Sequence, residues 1–179
     1  AQLLKTTNGG VNWQLLRNLS FGVGSENNFE MISEQVGFIY TSLVYGTFRR
    51  TTNEGLTWDS LTLRSNQTYG PFSLAFKNVL TGFAMGDAGT IFYTTNSGIN
   101  WTCRSSQWGI LPTLYYAKFF DDNNGILLGS GNILKTSNGG TNWSVHKANC
   151  NFSTGYFLNS QTGYSLAHDS LVKTTNAGI

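Results

Sequence analysis

One stretch of the sequence decides the fold: Thr94-Thr95-Asn96-Ser97-Gly98-Ile99-Asn100-Trp101. The same box of eight residues begins again at residues 6, 51, 136 and 174, and the last copy runs to Ile179. Every copy has Thr at position one, Asn at position three and Gly at position five. The four complete copies also share Trp at position eight.

Each of these shared positions has a structural cause. An Asn side chain can accept a hydrogen bond from the backbone N–H two residues on, which predicts an Asx-type turn. Gly at position five suits a backbone with positive φ, where a side chain would cost about 1–2 kcal/mol. The Trp ring predicts an anchor between sheets. The box residues with this structural role are Asn8, Gly10, Trp13, Asn53, Gly55, Trp58, Asn96, Gly98, Trp101, Asn138, Gly140, Trp143, Asn176 and Gly178.

The box recurs with a period of about 42 residues, which is typical of a four-stranded β-propeller blade. Each period contains an apolar-alternating segment, a turn closing on Gly, a second strand, a third strand that enters the box and a fourth that starts at the Trp. We name these strands A to D. The sequence predicts an all-β propeller with complete blades at about 28–63, 72–104 and 114–147, and partial blades at 2–17 and 152–179.

Two arrangements fit this order of strands. The chain can be part of a larger propeller, completed by further blades of the same chain or of another copy. It can instead close on itself as four blades, with the D strand at 11–16 pairing onto the last blade. Closure leaves one C strand redundant, so we favour the open arrangement.

Composition supports an all-β domain and excludes two function classes. The chain has 179 residues, of which 11% are charged and 14% are aromatic. The net charge of +2, without a basic stripe, argues against a nucleic-acid partner. No apolar run approaches the roughly 18 residues of a membrane-spanning helix, so we expect no membrane insertion. The spacing of Cys103 and Cys150 is compatible with a disulfide in an exported protein and equally with two separate thiols.

The box resembles the BNR or Asp-box repeat, with Asn where Asp is commoner. The unit Gly86-Asp87-Ala88-Gly89-Thr90-Ile91-Phe92-Tyr93-Thr94 is similar to the photosystem II stability/assembly factor-like repeat. The resemblance covers essentially the whole chain. It implies a β-propeller, often of seven blades, in an extracellular, cell-surface, periplasmic or lumenal protein. Some such repeats occur in bacterial surface proteins with type IX secretion tails.

The resemblance implies an architecture rather than one activity. Its photosynthetic members are assembly factors that bind a partner protein. Other Asp-box propellers are sialidases, xyloglucan-cleaving glycosidases or sortilin receptors. The function must therefore be sought in particular residues outside the box.

The sequence contains no recognisable combination of catalytic residues. A glycosidase needs two carboxylates across a cleft, and Asp87 and Asp169, both at B–C connections, are interpreted as turn residues. The arginines do not form the cluster that a sialidase requires. His146 and His168 lack partners at metal-ligand spacing, so we expect no metal and no cofactor.

The candidate binding site is the face opposite the box turns, where the B–C and D–A connections lie. Trp108 is the one Trp outside a box, and an exposed Trp beside Arg104 would suit a protein or sugar contact. Alternatively, Trp108 caps the core under its own loop. The candidate binding residues are Trp108, Tyr69, Arg64, Arg104, Tyr45, Asp87, His168 and Asp169.

Together these observations predict a non-catalytic binding or scaffold module of an exported or cell-surface protein, with a protein or a glycan as partner. One alternative is a sialidase-like or xyloglucanase-like glycoside hydrolase whose catalytic residues lie partly outside this stretch. A second alternative is a structural spacer in a large surface protein.

Overall fold

The described residues of the computed structural model are 2–19, 29–42, 47–63, 70–104, 113–167 and 169–178. Their regular elements are fifteen β-strands and one 3₁₀ turn, Asp87–Gly89. The predicted all-β class is therefore confirmed. No helix in the described part of the chain is long and apolar enough to cross a membrane.

The strands follow one another as antiparallel meanders. In chain order they are β1 Gln2–Lys5, β2 Gln14–Asn18, β3 Phe29–Met31, β4 Gly37–Ser42, β5 Thr47–Thr51, β6 Asp59–Thr62, β7 Pro71–Phe76, β8 Gly82–Gly86, β9 Ile91–Thr94, β10 Thr102–Cys103, β11 Leu114–Phe119, β12 Gly125–Thr136, β13 Ser144–Phe157, β14 Gly163–Ala167 and β15 Ser170–Thr174.

These strands form an N-terminal pair and a series of blades. β1 pairs with β2, β3–β6 form the first blade, and β7–β10 form the second. β12 serves as two strands of the third blade: Gly125–Gly129 pairs with β11, and Ser130–Lys135 pairs with β13, with Gly131 at φ 68° in the irregularity between Ser130 and Asn132. β13 pairs with β12 through Ser144–Asn151 and with β14, in the fourth blade, through Phe152–Phe157. The chain thus passes between these blades in one strand, where the sequence predicts two.

Two side chains hold each box turn. In the second box, the Thr51 hydroxyl accepts the Gly55 N–H at 2.9 Å and donates to Asn53 Oδ1 at 3.1 Å. Asn53 Oδ1 also accepts the Thr57 N–H at 2.8 Å. The other complete boxes repeat these bonds. The expected Asx bond is therefore wrong in its spacing: Asn reaches the N–H four residues on, because the Thr hydroxyl at position one takes the nearer N–H groups.

Positions four and five of every box are left-handed. The φ angles are 57–68° at position four and 73–90° at position five. Glu54, Ser97 and Ala177 adopt this backbone at position four without being glycine. From the second box onward, the position-four N–H donates to a carbonyl of the A–B turn in the same blade, as in Glu54 to Gln35 at 3.0 Å and Ser97 to Leu80 at 2.9 Å. Box turns and A–B turns consequently lie side by side on one face.

Aromatic rings from neighbouring blades fill the interfaces. Phe38 of the first blade stacks on Phe76 of the second, with ring centroids 5.1 Å apart. Trp101 meets both rings edge-on, at 6.4 Å and 6.0 Å. Such ring pairs add about 0.5–1.5 kcal/mol to the burial of their area. One blade later the same trio is formed by Phe83, Phe119 and Trp143.

Each box glycine from the second box onward lies against the preceding blade. A Cβ on Gly98 would stand 2.5 Å from Phe38 Cζ, and a Cβ on Gly140 would overlap the ring of Phe83. Among the described residues, a Cβ on Gly10 would meet only Trp13 of its own box, at 3.8 Å. Position five therefore excludes side chains for two reasons, the positive φ and the closeness of the neighbouring blade.

The sheets do not close into a ring. Among the described residues, no backbone pairing joins β1 or β2 to β14 or β15. The anchor Trp13 in the N-terminal pair is 60% exposed, whereas Trp143, between the second and third blades, is 8% exposed. The arrangement is the expected open one rather than a closed four-bladed propeller.

Comparing two glycine substitutions tests the contact between blades. Gly10→Ala should lower the free energy of unfolding by about 1–2 kcal/mol, the cost of a left-handed alanine. Gly140→Ala should lower it by about 1–3 kcal/mol more, because the methyl group also overpacks the Phe83 ring. Urea denaturation of both variants gives the two values. Equal losses would show that the neighbouring blade does not constrain position five.

Candidate functional site

The predicted binding face lies at the blade edge away from the box turns. In an antiparallel meander, the A–B and C–D turns share one edge, and the B–C and D–A connections share the other. Two D–A connections run through 64–69 and 105–112, which are outside the described residues. The described parts of this face include the turn Asp87–Gly89 and the residues Arg104 and Thr113, which flank a D–A connection.

Asp87 joins two blades. Its Oδ1 accepts a hydrogen bond of 2.6 Å from the Thr113 hydroxyl, directly before β11, and one of 3.1 Å from the Ala88 N–H. Ala88 and Gly89 are both left-handed, at φ 49° and 66°. The carboxylate thus holds a tight B–C turn of the second blade against the innermost strand of the third blade.

Arg104 is fixed at the start of the next connection. Its guanidinium carbon lies 4.1 Å from the centroid of the Tyr93 ring, which is a cation–π contact. Its backbone N–H donates to the Ile91 carbonyl at 2.8 Å. The side chain is only half-buried, so this face carries a positioned positive charge at its rim.

Five of the eight candidate binding residues lie outside the described residues: Tyr45, Arg64, Tyr69, Trp108 and His168. Asp169 is described and exposed, in the turn between β14 and β15 where Ala167 pairs with Ser170. The structure therefore places only Asp87, Arg104 and Asp169 of the predicted set, each at a connection on the expected face.

Several other carboxylates serve turns on the box face. Asp121 accepts the side-chain amide of Asn124 and the backbone N–H groups of Asn124 and Asn123, and these bonds hold the pKa of Asp121 below its ordinary value. Asp122 accepts the Asn78 amide at 2.6 Å. Within the described ranges, no group of three His, Cys, Asp or Glu residues could hold a metal ion.

The two cysteines are separate. No disulfide joins Cys103, which is exposed on β10, to Cys150, which is half-buried in β13. The sequence is compatible with either a disulfide or two separate thiols, and the structure has two separate thiols.

Glu30 is a titratable group that sequence reasoning missed. Its Oε1 accepts the Phe76 N–H at 3.3 Å, across the interface from β3 to β7, and its Oε2 is buried without a hydrogen-bond partner among the described residues. Burial raises the pKa of Glu30, against the smaller opposing effects of the Phe76 N–H and the Lys118 charge. The signal in the sequence was a lone carboxylate within an apolar-alternating segment, Phe29–Ile32.

A carboxyl group with a raised pKa can hold a proton nearer to neutral pH than an ordinary Glu, which is the property of a general acid. Glycoside hydrolysis needs a second carboxylate opposite the first. The charged group that acts on Glu30 among the described residues is instead Lys118. The geometry around Glu30 therefore supports a link between blades more directly than a catalytic pair.

Glu30 should make stability depend on pH. Below the ordinary Glu pKa of about 4.3, the group is protonated in both the folded and the unfolded states and has no net effect. As pH rises through the raised pKa of the folded state, the wild type should lose stability relative to Glu30→Gln. Urea denaturation of both proteins at a series of pH values between about pH 4 and pH 8 measures this difference in the free energy of unfolding.

Glu34→Gln is the matched control for this experiment, because Glu34 is exposed in the turn after β3. The difference in the free energy of unfolding between Glu34→Gln and the wild type should not change with pH as it does for Glu30→Gln. A difference between the wild type and Glu30→Gln that stays constant or grows with pH would contradict the assigned burial of the Glu30 carboxyl.

Comparison with known proteins separates sequence from fold. No family model matches the sequence, and no curated protein matches it. Solved structures do match the fold. YCF48 from Cyanidioschyzon merolae has a TM-score of 0.69 at 17% identity, over 98% of this chain and 63% of that one. YCF48 bound to a D1 peptide has a TM-score of 0.61 at 17% identity, over 86% and 59%.

Glycoside hydrolases share the same fold. The GH74 enzyme of Niastella koreensis has a TM-score of 0.70 at 14% identity, over 98% of this chain and 33% of that one. The present chain thus spans about three fifths of the YCF48 chains and a third of this enzyme. The fold that the Asp-box resemblance implies is confirmed: the chain is a run of β-propeller blades of the kind found in both YCF48 and GH74 enzymes.

Proposed function

We propose that this β-propeller is a non-catalytic binding or scaffold module of an exported or cell-surface protein. Its partner, a protein or a glycan, contacts the face that carries the B–C and D–A connections. The observation that carries the proposal is that the acidic side chains bind other groups of the protein itself. Asp87 holds a hydroxyl of the next blade, and Asp121 and Asp122 hold amides of turns.

These carboxylates accept hydrogen bonds from the protein's own side chains and backbone. A glycosidase would instead keep two carboxyl groups facing a substrate between them, roughly 5–10 Å apart. The binding face offers other chemistry: the Arg104 guanidinium stacked on Tyr93, and, from the sequence, Trp108 and Tyr69 in the adjoining connections. Arginine and aromatic side chains are enriched in the energetically dominant parts of protein interfaces.

A solved complex supports a protein partner. YCF48, which shares this fold, has been observed bound to a D1 peptide. A propeller of this type can therefore bind a peptide on its surface. For the present chain we infer a partner of the same chemical class, a protein segment, ahead of a glycan.

The glycoside hydrolase alternative rests on two observations. The GH74 enzyme of Niastella koreensis matches the fold over 98% of this chain, and Glu30 is a carboxyl group with a raised pKa on an innermost strand. A catalytic role for Glu30 would require a second carboxylate from outside the described residues. We rank this alternative below binding for that reason.

Variants of the two faces test the proposal. The wild type is screened on arrays of peptides and of oligosaccharides, and its hits are titrated with Arg104→Ala, Trp108→Ala and, as a box-face control, Thr95→Ala, at an exposed box position. We expect affinity to fall by about tenfold or more in the first two variants, the usual loss at an interface hot spot, and to stay unchanged in the control.

Reducing-sugar release from soluble β-glucans is measured in parallel for the wild type, Asp87→Asn, Asp169→Asn and Glu30→Gln. We expect no hydrolysis by any of them. Hydrolysis that disappears in one of these variants would establish the enzyme reading instead. If the folded protein binds nothing on either array, the alternative of a structural spacer describes it better.

A further inference from the structure

A charged contact between neighbouring blades recurs along the chain. Two residues that precede a box, Lys5 and Arg50, reach position four of the following box, whereas Tyr93, before the third box, packs on Phe83. Lys5 Nζ binds Glu54 Oε2 at 2.5 Å, and Arg50 Nε donates to the Ser97 carbonyl at 2.9 Å. Each of these cations thus has an acceptor supplied by the next blade.

Among the described residues, the corresponding cation at the interface of the third and fourth blades makes no such contact. The cation is Lys135, and position four of the following box is Ala177. Within the described part of the chain, the Lys135 ammonium has neither a hydrogen bond nor an ion pair. The side chain is nevertheless half-buried, and this burial lowers the pKa of Lys135.

Lys135 and Ala177 line an open groove of about 930 Å³ on the box face. The groove is also lined by Lys118, Tyr156 and Leu158. Tyr156 is 66% exposed and Leu158 is 61% exposed. Two cations therefore stand beside exposed aromatic and aliphatic surface.

The corresponding space one interface earlier is bridged by side chains. Lys77 Nζ donates to the Asp122 carbonyl at 2.9 Å, and the Asn78 amide donates to the Asp122 carboxylate at 2.6 Å. At the next interface, Phe120 and Asp121 occupy the positions of Lys77 and Asn78. The Asp121 oxygens accept amides of their own turn, so they do not cross the groove.

We propose that this groove binds an acidic segment of a partner protein, and that a Glu or Asp carboxylate of the partner binds Lys135 in the position that Glu54 takes on Lys5. The proposed contact is analogous to the ion pair between Lys5 and Glu54, in which the acceptor is a glutamate side chain. Lys118 supplies a second cation, and Tyr156 and Leu158 supply surface for apolar residues beside the acidic one. The site lies on the box face, so it is separate from the face assigned under the proposed function and does not depend on it.

The probe is a fluorescein-labelled, amidated peptide, Ser-Phe-Glu-Leu-Glu-Phe-Ser, and its control carries Gln in place of both Glu residues. Binding to the full chain is measured by fluorescence anisotropy at low ionic strength. Lys135→Gln should weaken binding of the Glu peptide by about five- to tenfold, the effect of losing one partly buried charge pair. Lys147→Gln makes the same change of charge at an exposed residue of β13 outside this groove and should leave the affinity unchanged.

A second pair of variants fills the groove from within. Ala177→Glu gives the last box the carboxylate that Glu54 gives the second box, and the backbone tolerates it because φ is 61° at Ala177 and 62° at Glu54. This variant should lose peptide binding, whereas Ala177→Gln, of the same size, should retain more of it. Thermal melting of each variant confirms that it is folded, and the Ala177 pair tests the site even if Lys135→Gln does not fold.

Three results would overturn the proposal: equal affinity for the Glu and Gln peptides, equal losses in Lys135→Gln and Lys147→Gln, or no binding by the wild type. Trigalacturonate serves as a third probe. If it binds in a Lys135-dependent manner and the peptide does not, the groove takes carboxylated sugars and the protein partner is wrong. None of these outcomes bears on Arg104 or the connections near it.

Discussion

The structure depends on the contact that each box glycine from the second box onward makes with the blade before it. The glycine is held left-handed by the Thr hydroxyl at position one of its box, and this places the bare Cα against an aromatic ring such as Phe38 or Phe83. A side chain at that point would push the two blades apart. The Trp three residues later then packs edge-on against the same ring. One turn thereby fixes both the local backbone and the distance between neighbouring sheets.

This coupling explains how much of the fold the sequence could predict. A glycine present in all five boxes indicates positive φ, and a Trp at constant spacing indicates a core anchor, so the period alone leads to blades. The left-handed backbone at position four was not visible, because Glu54, Ser97 and Ala177 carry side chains there. The role of Thr was missed for a similar reason: its hydroxyl acts on a residue four positions away, and the Asn beside it offers a simpler local explanation.

The candidate site was less predictable than the fold, because its contacts join residues of different strands or different blades. Asp87 is paired with Thr113, and Arg104 is stacked on Tyr93 of the neighbouring strand. Neither pairing follows from sequence spacing. Glu30 shows the same limit, because its carboxyl is buried and accepts a backbone N–H from the next blade, and its own segment gives no sign of that contact. In a repeat protein, local pattern specifies the blade, while the chemistry arises where two blades that differ in sequence meet.

That principle also indicates where to look for function in such a chain. A repeat that matches its neighbours is explained by the shared fold, so information about partners is concentrated where one copy departs from the others. The departure at Lys135 and Ala177 is of this kind: a half-buried cation precedes the box, and the following box has Ala177 where the second box has Glu54. Partial burial of a charge without an acceptor carries a desolvation cost, and a partner that supplies a carboxylate would offset it. Where Lys5 meets Glu54 within the chain, the cation at the same position already has a carboxylate.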